Sequence, residues 1–314
     1  MKKKAIIISI KGVNLTKQEK LLLSKEKPWG LILFKRNIRS ILQIRNLIKN
    51  IKKLVKDKKF PILIDEEGST VSRLKDIISH NFEANYFGKL YKLDKKIATA
   101  MYKYYLKTLC DNLNNIGINI NTIPVLDVLR NNTNDIIGKR SFSRDKDVVR
   151  DLGKITINEC HINRIATVIK HIPGHGCSTI DSHQRMPKVN LKMRSLNKTD
   201  FYPFKLTNSK LAMTAHILYS KIDSKNVSTF SKKIISEIIR KKIGFKGIIM
   251  SDDISMKALK YDLMENAKKS LLAGCNLVLY CSGNIKDNFK LIKSVPYIDQ
   301  FTAKKTSEIY KILR

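Results

Sequence analysis

Ionisable residues follow five of the short apolar runs in this sequence, at the point where each run ends. The five junctions contain Asp65-Glu66-Glu67, Asp127, Lys170-His171, His216 and Ser251-Asp252-Asp253. An aspartate or serine at one junction is explained by capping of the next helix, and this suits Ser251 or Asp253 taken singly. A lysine or a histidine cannot cap a helix N-terminus. The five junctions together therefore indicate a chemical site at one edge of a sheet.

The segment from Lys170 to His183, KHIPGHGCSTIDSH, contains three of the six histidines. Two kinds of chemistry fit it. The histidines at 171, 175 and 183 with Asp181 are residue types that bind zinc. Alternatively, Asp181 orients His183 as a general acid and base. Pro173 and Gly174 interrupt the spacing that would place two rings on one helical turn, so the acid–base interpretation is favoured and no metal is expected.

The elements that position these residues alternate between short β-branched runs and longer helical patterns, which is typical of repeated βα units. Continuous apolar runs such as GLILF suit parallel strands that are covered on both faces. A helix is predicted from Ile41 to Val55, with its lysines in water and a buried stripe made of Ile41, Ile44, Ile48, Ile51 and Val55. About eight such units predict a single-domain (β/α)8 TIM barrel over residues 1–314, with irregular first strands. The predicted strands are 5–10, 30–34, 61–64, 118–123, 167–169, 211–214, 247–250 and 277–280.

The main alternative fold is an open doubly wound sheet. That fold would need a glycine-rich phosphate turn after a strand, and the sequence has neither G-x-G-x-x-G nor a P-loop.

Composition sets limits on the partners. The 314 residues include 61 Lys and Arg against 27 Asp and Glu, a formal net charge of +34. The lysines are spread along the whole chain without a basic arm, so no nucleic-acid partner is expected. Five scattered cysteines fit reduced thiols in a cytoplasmic protein. No apolar run reaches the roughly 20 residues of a membrane helix, and Ala5–Ile10 is expected to be a first strand and not part of a signal peptide.

Seven motifs occur in an order and spacing that resemble glycoside hydrolase family 3, in particular its NagZ-like β-N-acetylglucosaminidases. They are GLILFKRN, ILIDEEG…SRL, INTIPVLDV, IGKRSFS, KHIPGHG…DSH, MTAHI and GFKGIIMSDDISM. The resemblance runs through nearly the whole chain and implies a TIM barrel without a cofactor. It also implies an exo-acting, retaining enzyme that removes terminal β-N-acetylglucosamine. The implied substrate is an N-acetylglucosaminyl-1,6-anhydro-N-acetylmuramyl muropeptide from peptidoglycan turnover.

The same resemblance implies roles for individual residues. Asp252 is the nucleophile, and His183 with Asp181 is the acid–base pair. The terminal sugar is bound by Asp65, Arg73, Arg140, Lys170 and His171, and His216 lines the same mouth. Because Asp65 and Arg73 stand eight positions apart, a turn must bring them together.

The sequence departs from the family pattern where D-Q-E-G-G-R-V is usual. Ser69 and Thr70 replace the second glycine and the arginine, and Ile172 replaces an aromatic residue in the histidine segment. None of these changes affects Asp181, His183 or Asp252, so an active enzyme is expected. The protein is also expected to be a monomer. Two alternatives remain at this point: a phosphorylase that uses the same site, and a metal-dependent hydrolase.

Overall fold

Eight parallel strands close into a barrel in the computed structural model, which describes residues 2–79, 82–131, 133–180, 182, 185–205 and 207–313. The strands of the chain are β1 (Lys4–Ile8), β2 (Pro28–Leu33), β3 (Ile62–Ile64), β4 (Ile120–Asn121), β5 (Ala166–Ile172), β6 (Lys188–Val189), β7 (Leu211–Thr214), β8 (Leu218–Tyr219), β9 (Ile248–Asp253) and β10 (Leu277–Tyr280). The barrel order is β1-β2-β3-β4-β5-β7-β9-β10, and β10 pairs with β1. β6 and β8 form a separate parallel pair. The closed order confirms the predicted TIM barrel and excludes the open doubly wound sheet.

All eight predicted barrel strands are present, six of them with shifted ends and the strands at 211–214 and 277–280 with the predicted ends. The pairing of β1 with β2 is irregular, as expected, but register shifts also occur between β5 and β7 and between β9 and β10. β4 is only two residues long, and side-chain amides add hydrogen bonds between it and the chain of β3. Asn119 accepts from the amide of Ile62 and donates to the carbonyl of Phe60, and Asn121 bonds both backbone groups of Glu66.

Helices surround the barrel. They are α1 (Lys17–Glu26), α2 (Ile41–Leu54), α3 (Ala84–Leu93), α4 (Lys95–Ile116), α5 (Lys146–Ile162), α6 (Met193–Lys198), α7 (Leu263–Ala273), α8 (Ile285–Ser294) and α9 (Gln300–Ile312), with a π-helix at Ile234–Lys242. In α2 the predicted face is buried through Ile44, Ile48 and Ile51, with Leu47 added. Ile41 is exposed, contrary to the predicted stripe, because it stands in the first turn at the end of the helix. None of the helices in the described part of the chain is long and apolar enough to cross a membrane.

The barrel interior is filled by apolar side chains and closed from below by α9. Ile309 and Leu313 belong to the same buried cluster as Ala5 and Trp29, which stand near the amino ends of β1 and β2. The indole of Trp29 donates to the hydroxyl of Thr306 at 2.8 Å. Because one end of the barrel is plugged, an open cleft can form only at the carboxyl ends of the strands. All five cysteines are free thiols.

Candidate active site

A cleft opens at the carboxyl ends of the barrel strands. Charged and histidine side chains in its lining come from the segments after β3 and β4, from the end of β5 and the segment after it, and from the end of β9: Asp65, Glu67, Arg73, Arg140, Lys170, His171, His175 and Asp252. Six residues predicted for the site, Asp65, Arg73, Arg140, Lys170, His171 and Asp252, are therefore brought together. The predicted acid–base residues Asp181 and His183 lie outside the described residues.

Asp65 and Arg73 meet because the loop after β3 turns back on itself. The buried carboxylate of Glu66 accepts hydrogen bonds from the amides of Arg73 (2.8 Å) and Leu74 (3.1 Å) and from the hydroxyl of Ser72. The turn required by the sequence spacing is therefore made by Glu66. It places a guanidinium nitrogen of Arg73 at 3.0 Å from Oδ2 of Asp65.

Asp65 also accepts from Lys170 and from the hydroxyl of Thr122. Lys170 Nζ lies 3.1 Å from Asp65 Oδ1. Burial alone would raise the pKa of Asp65, but the charges of Lys170 and Arg73 outweigh it and hold this pKa well below its usual value. Asp65 is therefore a carboxylate that can accept a hydrogen bond from a hydroxyl in the cleft.

Glu67 pairs with Arg140 and shares Lys170 with Asp65. Arg140 donates from Nε to Oε2 (2.7 Å) and from Nη2 to Oε1 (2.9 Å), and Lys170 Nζ lies 2.6 Å from Oε1. Burial would raise the pKa of Glu67, but Arg140 and Lys170 lower it to about 2. Sequence reasoning did not assign Glu67 a role, although it stands in the acidic run that pointed to this junction.

Asp127 orients His171. It is fully buried, and its Oδ2 lies 2.8 Å from Nδ1 of His171, while Oδ1 accepts from the amides of His171 (3.3 Å) and His175 (2.5 Å). Burial would raise the pKa of Asp127, but His171 beside it and the amide hydrogen bond lower it. A carboxylate at this distance makes Nδ1 of His171 a donor. The remaining ring nitrogen, Nε2, is then the one that serves the cleft.

His175 is the second histidine of the cleft, and burial together with His171 lowers its pKa to about 4. The segment carrying it packs closely on the chain after β4, since a Cβ at Gly176 would lie 1.8 Å from the carbonyl oxygen of Val128.

The acidic pair at the end of β9 divides into one residue in the cleft and one in the fold. Asp253 accepts from the amide (3.1 Å) and hydroxyl (2.7 Å) of Ser255 and from the amide of Cys281 (3.2 Å), so it stabilises the turn. Ser251 accepts from the amide of Leu279. Asp252 is half-buried and lines the cleft, with Oδ1 accepting from the amide of Asp253 at 2.8 Å. Asp252 is therefore the acidic residue of this junction that can meet a ligand.

His216 lies beneath this junction and does not line the cleft. Its Nε2 donates to the carbonyl of Asp253 (3.0 Å), and its Nδ1 lies 2.7 Å from the hydroxyl of Thr229. Burial lowers the pKa of His216. Both ring nitrogens are thus used within the fold, and the ring supports the strand end that carries Asp252.

The two departures at Ser69 and Thr70 have a local structural result. Both hydroxyls donate to Oε1 of Glu83, at 3.0 and 2.6 Å, and Glu83 directly precedes α3. They therefore hold the loop after β3 against the start of α3, and their side chains are outside the cleft lining.

The donor set does not favour a metal. Within the described ranges, no group of three or more His, Cys, Asp or Glu side chains has the geometry to hold a metal ion. His171 uses one ring nitrogen for Asp127, and the third histidine of the segment, His183, is outside those ranges.

Comparisons with known proteins agree with this architecture. The profile of the family described as Glycosyl hydrolase family 3 N terminal domain matches residues 2–306. A Beta-hexosaminidase from Haemophilus influenzae is 33% identical over 304 residues, which cover 93% of this chain and 85% of that protein. A Beta-hexosaminidase from Actinobacillus succinogenes is 33% identical over 306 residues, covering 94% and 87%.

Solved structures give the same result. Native NagZ from Neisseria gonorrhoeae superposes with a TM-score of 0.88 at 29% identity, covering 100% of this chain and 90% of that one. The same protein in complex with N-trifluoroacetyl-D-glucosamine also gives a TM-score of 0.88, covering 98% and 90%. The profile match, the relatives and the barrel together show that this chain is a glycoside hydrolase that belongs to glycosyl hydrolase family 3.

Proposed function

We propose that the protein is an exo-acting, retaining β-N-acetylglucosaminidase, and that its whole chain forms one catalytic domain. The observation that carries the proposal is the cleft itself. It presents the carboxylate of Asp252 together with paired carboxylates and cations from the ends of other strands. Carboxylates accept from sugar hydroxyls and guanidinium groups donate to them, so such a wall suits a polar, uncharged sugar ring. Relatives named Beta-hexosaminidase support the choice of a terminal N-acetylhexosamine.

The proposed reaction has two steps. Asp252 attacks the anomeric carbon, the bond to the leaving oxygen breaks, and His183 gives that oxygen its proton. Water then attacks the same carbon, His183 takes a proton from it, and the carboxylate of Asp252 leaves. Retaining glycosidases usually use two carboxyl groups for this work. His183 is an imidazolium when it gives the proton and a neutral base when it takes one, so at each stage the site holds one negative charge fewer than with a second carboxyl. This makes the ionised form of Asp252 easier to keep.

The finer features are also proposals. We propose a cytoplasmic monomer that acts on N-acetylglucosaminyl-1,6-anhydro-N-acetylmuramyl muropeptides in peptidoglycan recycling. Five free thiols suit a reducing compartment. No metal or organic cofactor takes part in the proposed steps.

The experiment is hydrolysis of 4-nitrophenyl N-acetyl-β-glucosaminide by the wild type and by two neighbouring variants, with and without EDTA. Asp252→Asn should lower kcat by about three orders of magnitude or more, because the nucleophile is removed. Asp253→Asn is the matched control, since its carboxylate serves Ser255 and Cys281, and it should keep most of the activity. EDTA should leave the rates of the wild type and of both variants unchanged.

A covalent intermediate is the second readout. Incubation with a slow fluorinated N-acetylglucosaminide, followed by mass spectrometry, should place the sugar on Asp252. Turnover without such an adduct would contradict the two-step route. Formation of sugar 1-phosphate in phosphate buffer would identify a phosphorylase instead, and loss of activity with EDTA would identify a metal-dependent hydrolase.

A further inference from the structure

We propose that Glu67 is a positioning residue that fixes Arg140 for sugar binding and, through Lys170, fixes the carboxylate of Asp65, an inference that rests on the proposed function. Its side chain is only 5% exposed, and those of Arg140 and Lys170 are 9% and 3% exposed. One carboxylate thus accepts two hydrogen bonds from a guanidinium and a third contact from an ammonium at 2.6 Å. Paired hydrogen bonds of this kind fix the orientation of the arginine plane as well as its position.

The donors of Lys170 show why this partner matters. An ammonium group has three N–H donors. Nζ of Lys170 lies 2.6 Å from Glu67, 2.8 Å from Thr122 Oγ1 and 3.1 Å from Asp65. These three acceptors match the three donors, so Lys170 holds the two carboxylates side by side and neutralises part of their repulsion.

Arg140 is left with a defined pair of donors. Nε and one N–H of Nη2 go to Glu67, and Nη1 donates to the carbonyl of Ile136 at 2.9 Å. Of its five N–H groups, one on each terminal nitrogen then remains for a ligand. Glu67 therefore determines which edge of Arg140 can meet a sugar.

Charge makes the arrangement depend on Glu67. Asp65 and Glu67 stand among Arg73, Arg140 and Lys170, two negative charges against three positive ones. Removing the charge of Glu67 leaves two nearly buried cations without their shared partner, which is costly unless they move. In glutamine an NH2 group must replace one of the two oxygens, and it then faces Nε of Arg140 at the Oε2 position or Nη2 of Arg140 and Nζ of Lys170 at the Oε1 position. In either orientation at least one donor of Arg140 meets another donor. Arg140 should then leave the position in which it serves the sugar, and Lys170 should hold the carboxylate of Asp65 less firmly.

The test is a double-mutant cycle of Glu67→Gln and Arg140→Met. It is read as kcat and KM on 4-nitrophenyl N-acetyl-β-glucosaminide and as the Kd of N-acetylglucosamine by calorimetry. Glu67→Gln alone should raise KM and Kd about tenfold or more with a smaller change in kcat. In the Arg140→Met background the same substitution should have much less effect, because coupled residues are not additive. Glu83→Gln is the matched control, because its carboxylate binds Ser69 and Thr70 and not the cleft cations, and KM should stay within about twofold.

Additive effects in the cycle, or an unchanged KM and Kd in Glu67→Gln, would overturn the inference. If thermal unfolding shows that Glu67→Gln does not fold, the cycle is repeated with Glu67→Asp under the same criteria, since that variant keeps the charge but is too short for both cations. If the wild type does not cleave the glycoside, the proposed function fails, while the cycle on sugar binding still decides the role of Glu67.

Discussion

Replacing Asp127 with asparagine should weaken catalysis by reversing the hydrogen bond to His171. Oδ1 of Asp127 accepts from the amides of His171 and His175, so the amide oxygen of an asparagine must occupy this position. Its NH2 group then stands at the site of Oδ2, 2.8 Å from Nδ1 of His171. Two donors cannot face each other, so Nδ1 becomes the acceptor and the ring proton moves to Nε2. The ring would then present a neutral Nε2–H donor to the cleft, and no carboxylate would accept a hydrogen bond from its Nδ1.

The size of the effect follows from the bond that changes. Hydrogen bonds to charged groups contribute about 1.5–3 kcal/mol, against about 0.5–1.5 kcal/mol for neutral ones. The difference of about 1–2 kcal/mol corresponds to a fall in kcat/KM of about 5- to 30-fold. The free energy of unfolding should fall by a similar amount, because the buried site keeps the same shape but loses its charge-assisted hydrogen bonds.

The assay is kcat/KM on the aryl N-acetylglucosaminide together with urea unfolding. Asp223→Asn is the control, because Asp223 also accepts from two backbone amides, those of Lys225 and Asn226, but lies outside the cleft lining. It should lower stability and leave kcat/KM unchanged. A folded Asp127→Asn variant with wild-type kcat/KM would refute the role assigned to the Asp127–His171 pair.

Two further predictions concern stability. The pKa of Glu67 is about 2 in the folded protein against an ordinary value of 4.5, so its ionisation stabilises the fold by about 3 kcal/mol at neutral pH. This contribution is present above pH 4.5 and is lost as the pH falls towards 2. The free energy of unfolding, measured in urea at several pH values, should therefore fall more steeply with acid in the wild type than in Glu67→Gln. Equal slopes against pH in the two proteins would contradict this prediction. Gly176→Ala should cost about 3 kcal/mol or more, because the new methyl group would meet the carbonyl of Val128 at 1.8 Å. Gly12→Ala is the matched control, because a methyl group there meets open space. Equal thermal unfolding midpoints for the two alanine variants would show that the loop at Gly176 moves to make room and would contradict the prediction.

The fold could be predicted from the sequence because each βα unit carries its own signal. The strands at Leu211–Thr214 and Leu277–Tyr280 have the predicted ends, since an apolar run and its flanking polar residues are local features. β4 is shorter than predicted, and the side chains of Asn119 and Asn121 add hydrogen bonds to the chain of β3 around it. Nothing local shows that these two amides face a neighbouring strand.

The site was predicted by residue type and position, but not by the direction of each side chain. Asp65, Glu66 and Glu67 are consecutive, yet Glu66 turns into its own loop while Asp65 and Glu67 face the cleft. At the end of β9 the same division separates Asp252 from Asp253. His216 stands at a strand end, as expected, and its ring is used within the fold. Asp65 and Glu67 face one way and Glu66 the other, as the period of two along an extended chain requires, but the sequence does not show which set faces the cleft.

The partners that sequence reasoning missed are those set by closure of the barrel. The bond from Arg73 to Asp65 spans 8 residues, and a turn could be inferred from that spacing. The pairs Asp127–His171 and Glu67–Arg140 span 44 and 73 residues, and each joins residues at or after the carboxyl ends of neighbouring strands. Their meeting depends on parallel strands that all end at one edge, and the choice of partner depends on charge balance within that edge. Several carboxylates and cations line the same cleft here. The ion pairs among them therefore have to be identified first, because only the donors and acceptors left over can bind the substrate.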